Sequence, residues 1–209
     1  MSTKNDYGSA DMKYVNQLEY PDMIYITNTK KEGEAFEKGK TTTIKGSGCC
    51  ICSAVMVADR LLPNCNFDLE QSIQLSYDSD SNCGPGTASV TFIPAFAEKL
   101  GFTYERTNNI ERLKYCLATG GAAIVNVGGD HDGHIGLFSH GGHYIAAIGV
   151  EPDGRIAILD PSYKENKYEE EGRAGKVEMK NGVIALCTPE VLADDCTNRS
   201  TPYNLFWRK

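Results

Sequence analysis

The run Cys49-Cys50-Ile51-Cys52-Ser53-Ala54-Val55-Met56-Val57-Ala58-Asp59-Arg60-Leu61-Leu62 most restricts what this chain can fold into. Read as a helix, it is apolar nearly all round. Such a helix is buried on most sides and belongs at the centre of a molecule rather than on its surface. Its first residue is a thiol, Cys49, which follows a small, flexible turn, Lys45-Gly46-Ser47-Gly48. A thiol in the first turn of a helix lies beside unpaired backbone N–H groups and the positive end of the helix dipole. That setting favours thiolate and can bring the pKa from ~8.5 down to about 3.5–7.5. Taken alone, Cys49 would still read as a core thiol.

The bulk properties narrow the choices. A length of 209 residues suits one domain with a real core, and 41% hydrophobic with 23% charged residues is ordinary for a globular chain. The net charge is −7 and Lys and Arg are scattered, so nucleic acid is not an expected partner. No apolar stretch reaches the ~20 residues of a membrane span. Residues 1–18 lack the apolar centre of a secretory signal, which points to the cytoplasm, with release by a non-classical or phage route left open. Of eight cysteines, Cys65, Cys83, Cys116, Cys187 and Cys196 are dispersed and read as small apolar residues in a reducing compartment.

Along the chain, residues 1–13 read as a mobile tail and 14–209 as a single domain, with 164–209 as its C-terminal extension. Residues 14–27 suggest short extended pieces and 29–43 a polar surface insertion. Asp68 and Gln71 form a capping-box pattern before a helix at 69–76. A loop over 77–90 follows, then helices at 91–100, stopped by Gly101, and 110–118, capped by Asn109. Strands are expected at 122–127, 144–150, 156–159 and 182–187, with 205–207 as a last edge or anchor. The charged stretch 164–181 reads as an exposed loop or outer hairpin. Helices first and strands later give an α+β fold class.

Two later residues change the reading of Cys49. Glu151-Pro152-Asp153-Gly154 is a strong turn signal. Pairing Glu151 with Gly154 puts His143 opposite Ser162 and Asp160 opposite Ile145. His143 and Asp160 are then diagonal neighbours on one face of the sheet, unless a bulge at Gly154 shifts the register. Pro161 ends the ladder and leaves the carboxylate at a strand end. Thiol, imidazole and carboxylate are the parts needed to attack a carbonyl through a thioester. The backbone N–H of Cys49 is a candidate donor to the resulting oxyanion.

Gly46-Ser47-Gly48-Cys49 with Ser53-Ala54-Val55-Met56-Val57 resembles the nucleophile segment of the papain-like double-glycine peptidases that process bacteriocin leaders, and of their stand-alone bacterial relatives. His143-Tyr144-Ile145-Ala146-Ala147-Ile148-Gly149-Val150, with Asp153-Gly154 and Asp160-Pro161, resembles that family's histidine strand and aspartate turn. Asn16-Gln17 resembles its upstream glutamine. The resemblance implies a papain-like α+β fold with a Cys49, His143, Asp160 triad and Gln17 as a side-chain oxyanion donor. It implies a peptide or protein substrate and no cofactor. Gln17 departs from the pattern by standing 32 residues before Cys49, and Cys50 replaces a small glycine.

Other readings use the same residues. Cys49 and Cys52 make a C-x-x-C, but the preceding Thr41 to Lys45 is a poor buried strand for a thioredoxin-like context. His131, His134, His140 and His143, with the cysteines, suggest a zinc-holding or non-catalytic binding domain, though their spacing matches no familiar zinc pattern. His140 is the rival base. A cell-wall peptide hydrolase is the alternative enzyme on the same fold.

Overall fold

Ala122–Val127, His143–Val150, Ile156–Leu159 and Ile184–Cys187 are apolar at odd and even positions alike, and the computed structural model shows the reason. They are strands of one sheet covered on both faces. The structure describes residues 12–29, 37–84 and 86–209. A ribbon of β1 (Ile24–Thr29) and β2 (Glu37–Thr43) precedes the main sheet. The main sheet has seven strands, all antiparallel, in the order β3 (Phe102–Thr107), β9 (Tyr203–Arg208), β4 (Ala122–Val127), β5 (His143–Val150), β6 (Ile156–Leu159), β8 (Ile184–Cys187), β7 (Glu178–Lys180).

One face of that sheet carries α2 (Cys49–Leu61), against which α3 (Leu69–Asp78) and α4 (Ser89–Leu100) pack. The other carries α5 (Ile110–Ala118), with α6 (Pro189–Asp194) beside it. Strand alternation sorts the side chains between the layers. Ile124, Ala146, Ile148 and Leu159 join the α2 layer, and Val125, Ile145, Ala147 and Ile158 join the α5 layer. Helix α2 is buried from Cys50 to Ala58, as its composition requires. Ser53 Oγ donates to Tyr144 O at 3.2 Å and Arg60 Nε to Ile148 O at 2.8 Å, so α2 is pinned along β5. Phe96 on α4 is fully buried among the rings of Phe67, Phe92, Phe102 and Phe206.

Several expectations need correction. The turn before Cys49 is one turn of helix, α1 (Ile44–Ser47), ended by Gly48. Any side chain at Gly48 would meet Ile44, whose carbonyl oxygen stands 2.6 Å from the Cβ position. The insertion is the β1–β2 ribbon, closed at its base by Ile44 N–H to Met23 O and Lys45 N–H to Tyr20 O. Its residues 30–36, and 1–11 of the expected tail, lie outside the described residues. Helices α3 and α4 each run two residues further into the expected loop, which shrinks to 79–88. Strand β3 was not expected, and β9 is interior to the sheet rather than an edge, because β3 pairs with its outer side. The charged stretch 164–181 is only partly exposed. Lys167, Tyr168 and Arg173 are buried, and Arg173 Nε reaches Gly136 O at 2.8 Å.

The β5–β6 hairpin sets the register of the site. Glu151 N–H bonds to Arg155 O at 2.8 Å, and Gly154 takes φ +89°, so the turn holds one residue more than the simple pairing supposes. That extra residue alone would put Asp160 opposite Ala146, on the wrong face for His143. A second irregularity, between Ala147 and Gly149, cancels it. Ala146 then pairs with Leu159, the phase that puts Asp160 and His143 on one face.

Candidate active site

Cys49 opens α2, His143 opens β5 and Asp160 follows β6, so all three stand at one end of the sheet. His143 and Asp160 are buried, while Cys49 is partly exposed. His143 donates Nε2–H to Asp160 Oδ1 at 2.8 Å. That leaves Nδ1 for Cys49, whose thiol and the imidazole influence each other's ionisation. The structure thus brings together the thiol, imidazole and carboxylate singled out from the sequence.

Asp160 has partners that sequence reasoning missed. Its Oδ1 also accepts Ser162 N–H at 2.9 Å and Ser162 Oγ–H at 3.1 Å. Its Oδ2 accepts Lys167 Nζ at 2.5 Å and the Tyr168 hydroxyl at 2.7 Å. Ser162 Oγ lies 3.0 Å from His143 Nε2 and receives Lys167 Nζ at 2.8 Å. The one available signal was Tyr168, an aromatic residue inside a run of charges.

These contacts set the ionisation of the three groups. Burial works against the Cys49 thiolate, but the hydrogen bond and charge of His143 outweigh it, helped by N–H groups of Tyr144 and Cys50, and the pKa falls. Burial also lowers the pKa of His143, yet bonding to Asp160 and Cys49 lifts it to about 9. Burial would raise the Asp160 carboxyl, but His143 and Lys167 hold it well below the usual carboxylate range. Burial lowers the pKa of Lys167, with Asp160 opposing. The arrangement favours a thiolate–imidazolium pair.

Gln17 lies between the two halves of the site. Its N–H donates to Pro161 O at 2.7 Å and its Nε2 to Lys45 O at 2.8 Å. Nearby, the Tyr14 hydroxyl bonds Asp160 O at 2.7 Å and Asn16 Nδ2 bonds Tyr163 O at 2.8 Å. The segment 14–17 is therefore stitched to the aspartate turn. Lys45 O is the carbonyl a continuous helix would offer to Cys49 N–H. Gln17 takes it instead, and Cys49 N–H has no backbone acceptor among the described residues. The long gap from Gln17 to Cys49 is spanned by the ribbon, whose closed base returns the chain to the site.

The other histidines are engaged elsewhere. His140 is 64% exposed and bonds Asp130 at 2.9 Å. His134 sits between Asp194 and Asp195, and its ring stacks on that of His131. Among the described residues, no three His, Cys, Asp or Glu side chains gather in a way that could hold a metal ion. All eight cysteines are free, and Cys50 and Cys52 are fully buried with thiols pushed up by burial. No helix among the described residues is long and apolar enough to cross a membrane.

A cleft of about 510 Å³ opens at Cys49. The loop 79–88 contributes Cys83, Gly86 and Thr87, and the loop before β5 contributes Gly142. No protein-family model matches the sequence, and no curated protein matches it. Among solved structures, the chain is similar to a "putative C39-like peptidase" from Bacillus anthracis, at a TM-score of 0.55 and 10% identity over 95% of each chain. At that identity the likeness is one of fold. The chain has an α+β, papain-like fold, which it shares with that structure.

Proposed function

We propose that this protein is a cysteine peptidase that hydrolyses peptide or closely related amide bonds. The observation that carries the reading is a helix-initiating thiol coupled to an imidazole that a buried carboxylate backs at 2.8 Å. His143 takes the Cys49 proton and the thiolate attacks the substrate carbonyl carbon. The C–N bond breaks as the imidazolium protonates the leaving amine, and a thioester to Cys49 remains. His143 then deprotonates a water, which attacks the thioester, releases the acid and restores the thiol. Asp160 keeps the Nε2–H tautomer and stabilises the cation. Cys49 N–H and Gln17 Nε2 are the donors assigned to the oxyanion.

The test is site-mapped alkylation by iodoacetamide near pH 6, together with cleavage of a mixed peptide library. An ordinary thiol is only roughly 0.3% ionised there. Label should concentrate on Cys49 and fall about tenfold or more in His143→Ala, since an imidazolium neighbour is what lowers the thiol pKa. Cys49→Ala should lose cleavage. Label spread evenly over Cys49, Cys65 and Cys83, and indifferent to His143, refutes the reading.

A further inference from the structure

Among the described residues, the cleft at Cys49 is lined by one guanidinium and no carboxylate. Apart from Arg199 and the sulfur of Cys49 itself, its described walls carry no charged group: Ser47, Cys83, Thr87, Asn126 and Tyr144, with glycines between them. Arg199 follows α6, where its N–H bonds Cys196 O at 2.9 Å. Its Nε donates to Val127 O and its Nη2 to Gly128 O, each at 3.3 Å. A guanidinium has five N–H donors, so three have no partner among the described residues, and the two carbonyls are neutral. Arg155 and Arg173 each pair with a carboxylate in this acidic chain. Arg199 has no such partner among the described residues.

The backbone makes room for it. A Cβ at Gly142, the residue before His143, would stand 2.5 Å from Arg199 Nη2. The guanidinium therefore lies against the chain that leads into the base. It is not committed to the thiol, which draws on His143 and on the N–H groups of Tyr144 and Cys50. A planar guanidinium with free donors beside a neutral cleft is suited to a carboxylate. We propose that Arg199 binds a substrate carboxylate next to the scissile bond, so that the substrates are acidic peptides. The carboxylate belongs either to a Glu or Asp side chain or to a free chain end. This rests on the peptidase reading above.

The experiment gives the wild-type protein two matched peptide pairs. One pair differs only in Glu or Gln beside the cut, the other in a C-terminal acid or carboxamide near it. One acid member should show kcat/KM about tenfold higher or more, the lower end of a charge-assisted hydrogen bond. The pair that shows the difference identifies the source. The preference should shrink in Arg199→Gln and persist in Arg199→Lys. In parallel, Cys49 is alkylated with anionic iodoacetate and neutral iodoacetamide, which needs no peptide. The iodoacetate-to-iodoacetamide rate ratio should fall in Arg199→Gln. Equal cleavage within both pairs by wild type, or a ratio indifferent to Arg199, overturns the assignment. Absence of iodoacetamide labelling at Cys49 would instead overturn the peptidase reading.

Discussion

Lys167→Met removes a buried charge that competes with His143 for Asp160. Ser162 Oγ lies 3.0 Å from His143 Nε2 and 2.8 Å from Lys167 Nζ. The two nitrogens are therefore under ~6 Å apart, and two like charges at that distance and an effective dielectric of ~20 repel by ~3 kcal/mol. On the imidazole that corresponds to about two pKa units. His143 already titrates at about 9, with burial opposing and Asp160 raising it. In the variant it should titrate a further one to two units higher, roughly, once relaxation of the site is allowed for. Removing one partner of a buried pair also costs ~3–5 kcal/mol of stability. The lower end is expected, because Tyr168 and Ser162 keep their bonds to Asp160. The assay is NMR titration of ¹³C-labelled imidazoles. The chain has four histidines, so His143 can be assigned by its loss in His143→Gln. A thermal melt confirms that the variant is folded. A His143 pKa that stays put or falls in folded Lys167→Met refutes the coupling.

Three further outcomes are expected. The raised pKa of His143 stabilises the fold fully below pH 6.5, and that contribution is lost as pH rises through about 9. Urea unfolding should therefore show the gap between wild type and His143→Gln narrowing over that interval; a gap constant with pH counts against it. Phe96→Ala empties the centre of a five-ring cluster and should cost ~3–5 kcal/mol, or about 10 °C in Tm by circular dichroism. A loss below ~1 kcal/mol would mean that the rings do not form one packed core. Gly142→Ala should push the Arg199 guanidinium aside and reduce the preference for acidic peptides, measured as the kcat/KM ratio of the matched pairs. An unaltered ratio would show that Arg199 does not act from beside Gly142.

What could be read from the sequence followed from local chemistry. The spans of α5, β4 and β6 were legible because Asn109 caps a helix, glycines end it, and short apolar runs are bounded by turns. The pairing of His143 with Asp160 was legible from the turn between them, although the register is reached through two irregularities that cancel. Strand β3, Phe-Thr-Tyr-Glu-Arg-Thr, was missed because an edge strand with one wet face reads as polar surface. Residues 205–207 read as a last edge or anchor because nothing local reveals that a strand made long before will pair with them. Lys167 was missed for the same reason. Lysine in a charged run reads as solvated, and its burial depends on Asp160 arriving at 2.5 Å. Arg199 shows no local pattern at all; its role depends on two carbonyls of a distant strand end and on a glycine beside His143.

The interior place of β9 has a consequence for how the chain is made. Strands β3 and β4 are hydrogen-bonded to opposite sides of residues 203–208. On the ribosome β4 emerges about 76 residues and β3 about 96 residues before that strand, which at ~5–20 residues per second is a delay of roughly 4–19 s. Until then each exposes an open edge, the kind that recruits other chains. Cys49 is translated earlier still, so its sulfur waits through that interval without a finished sheet to hold the imidazole against it.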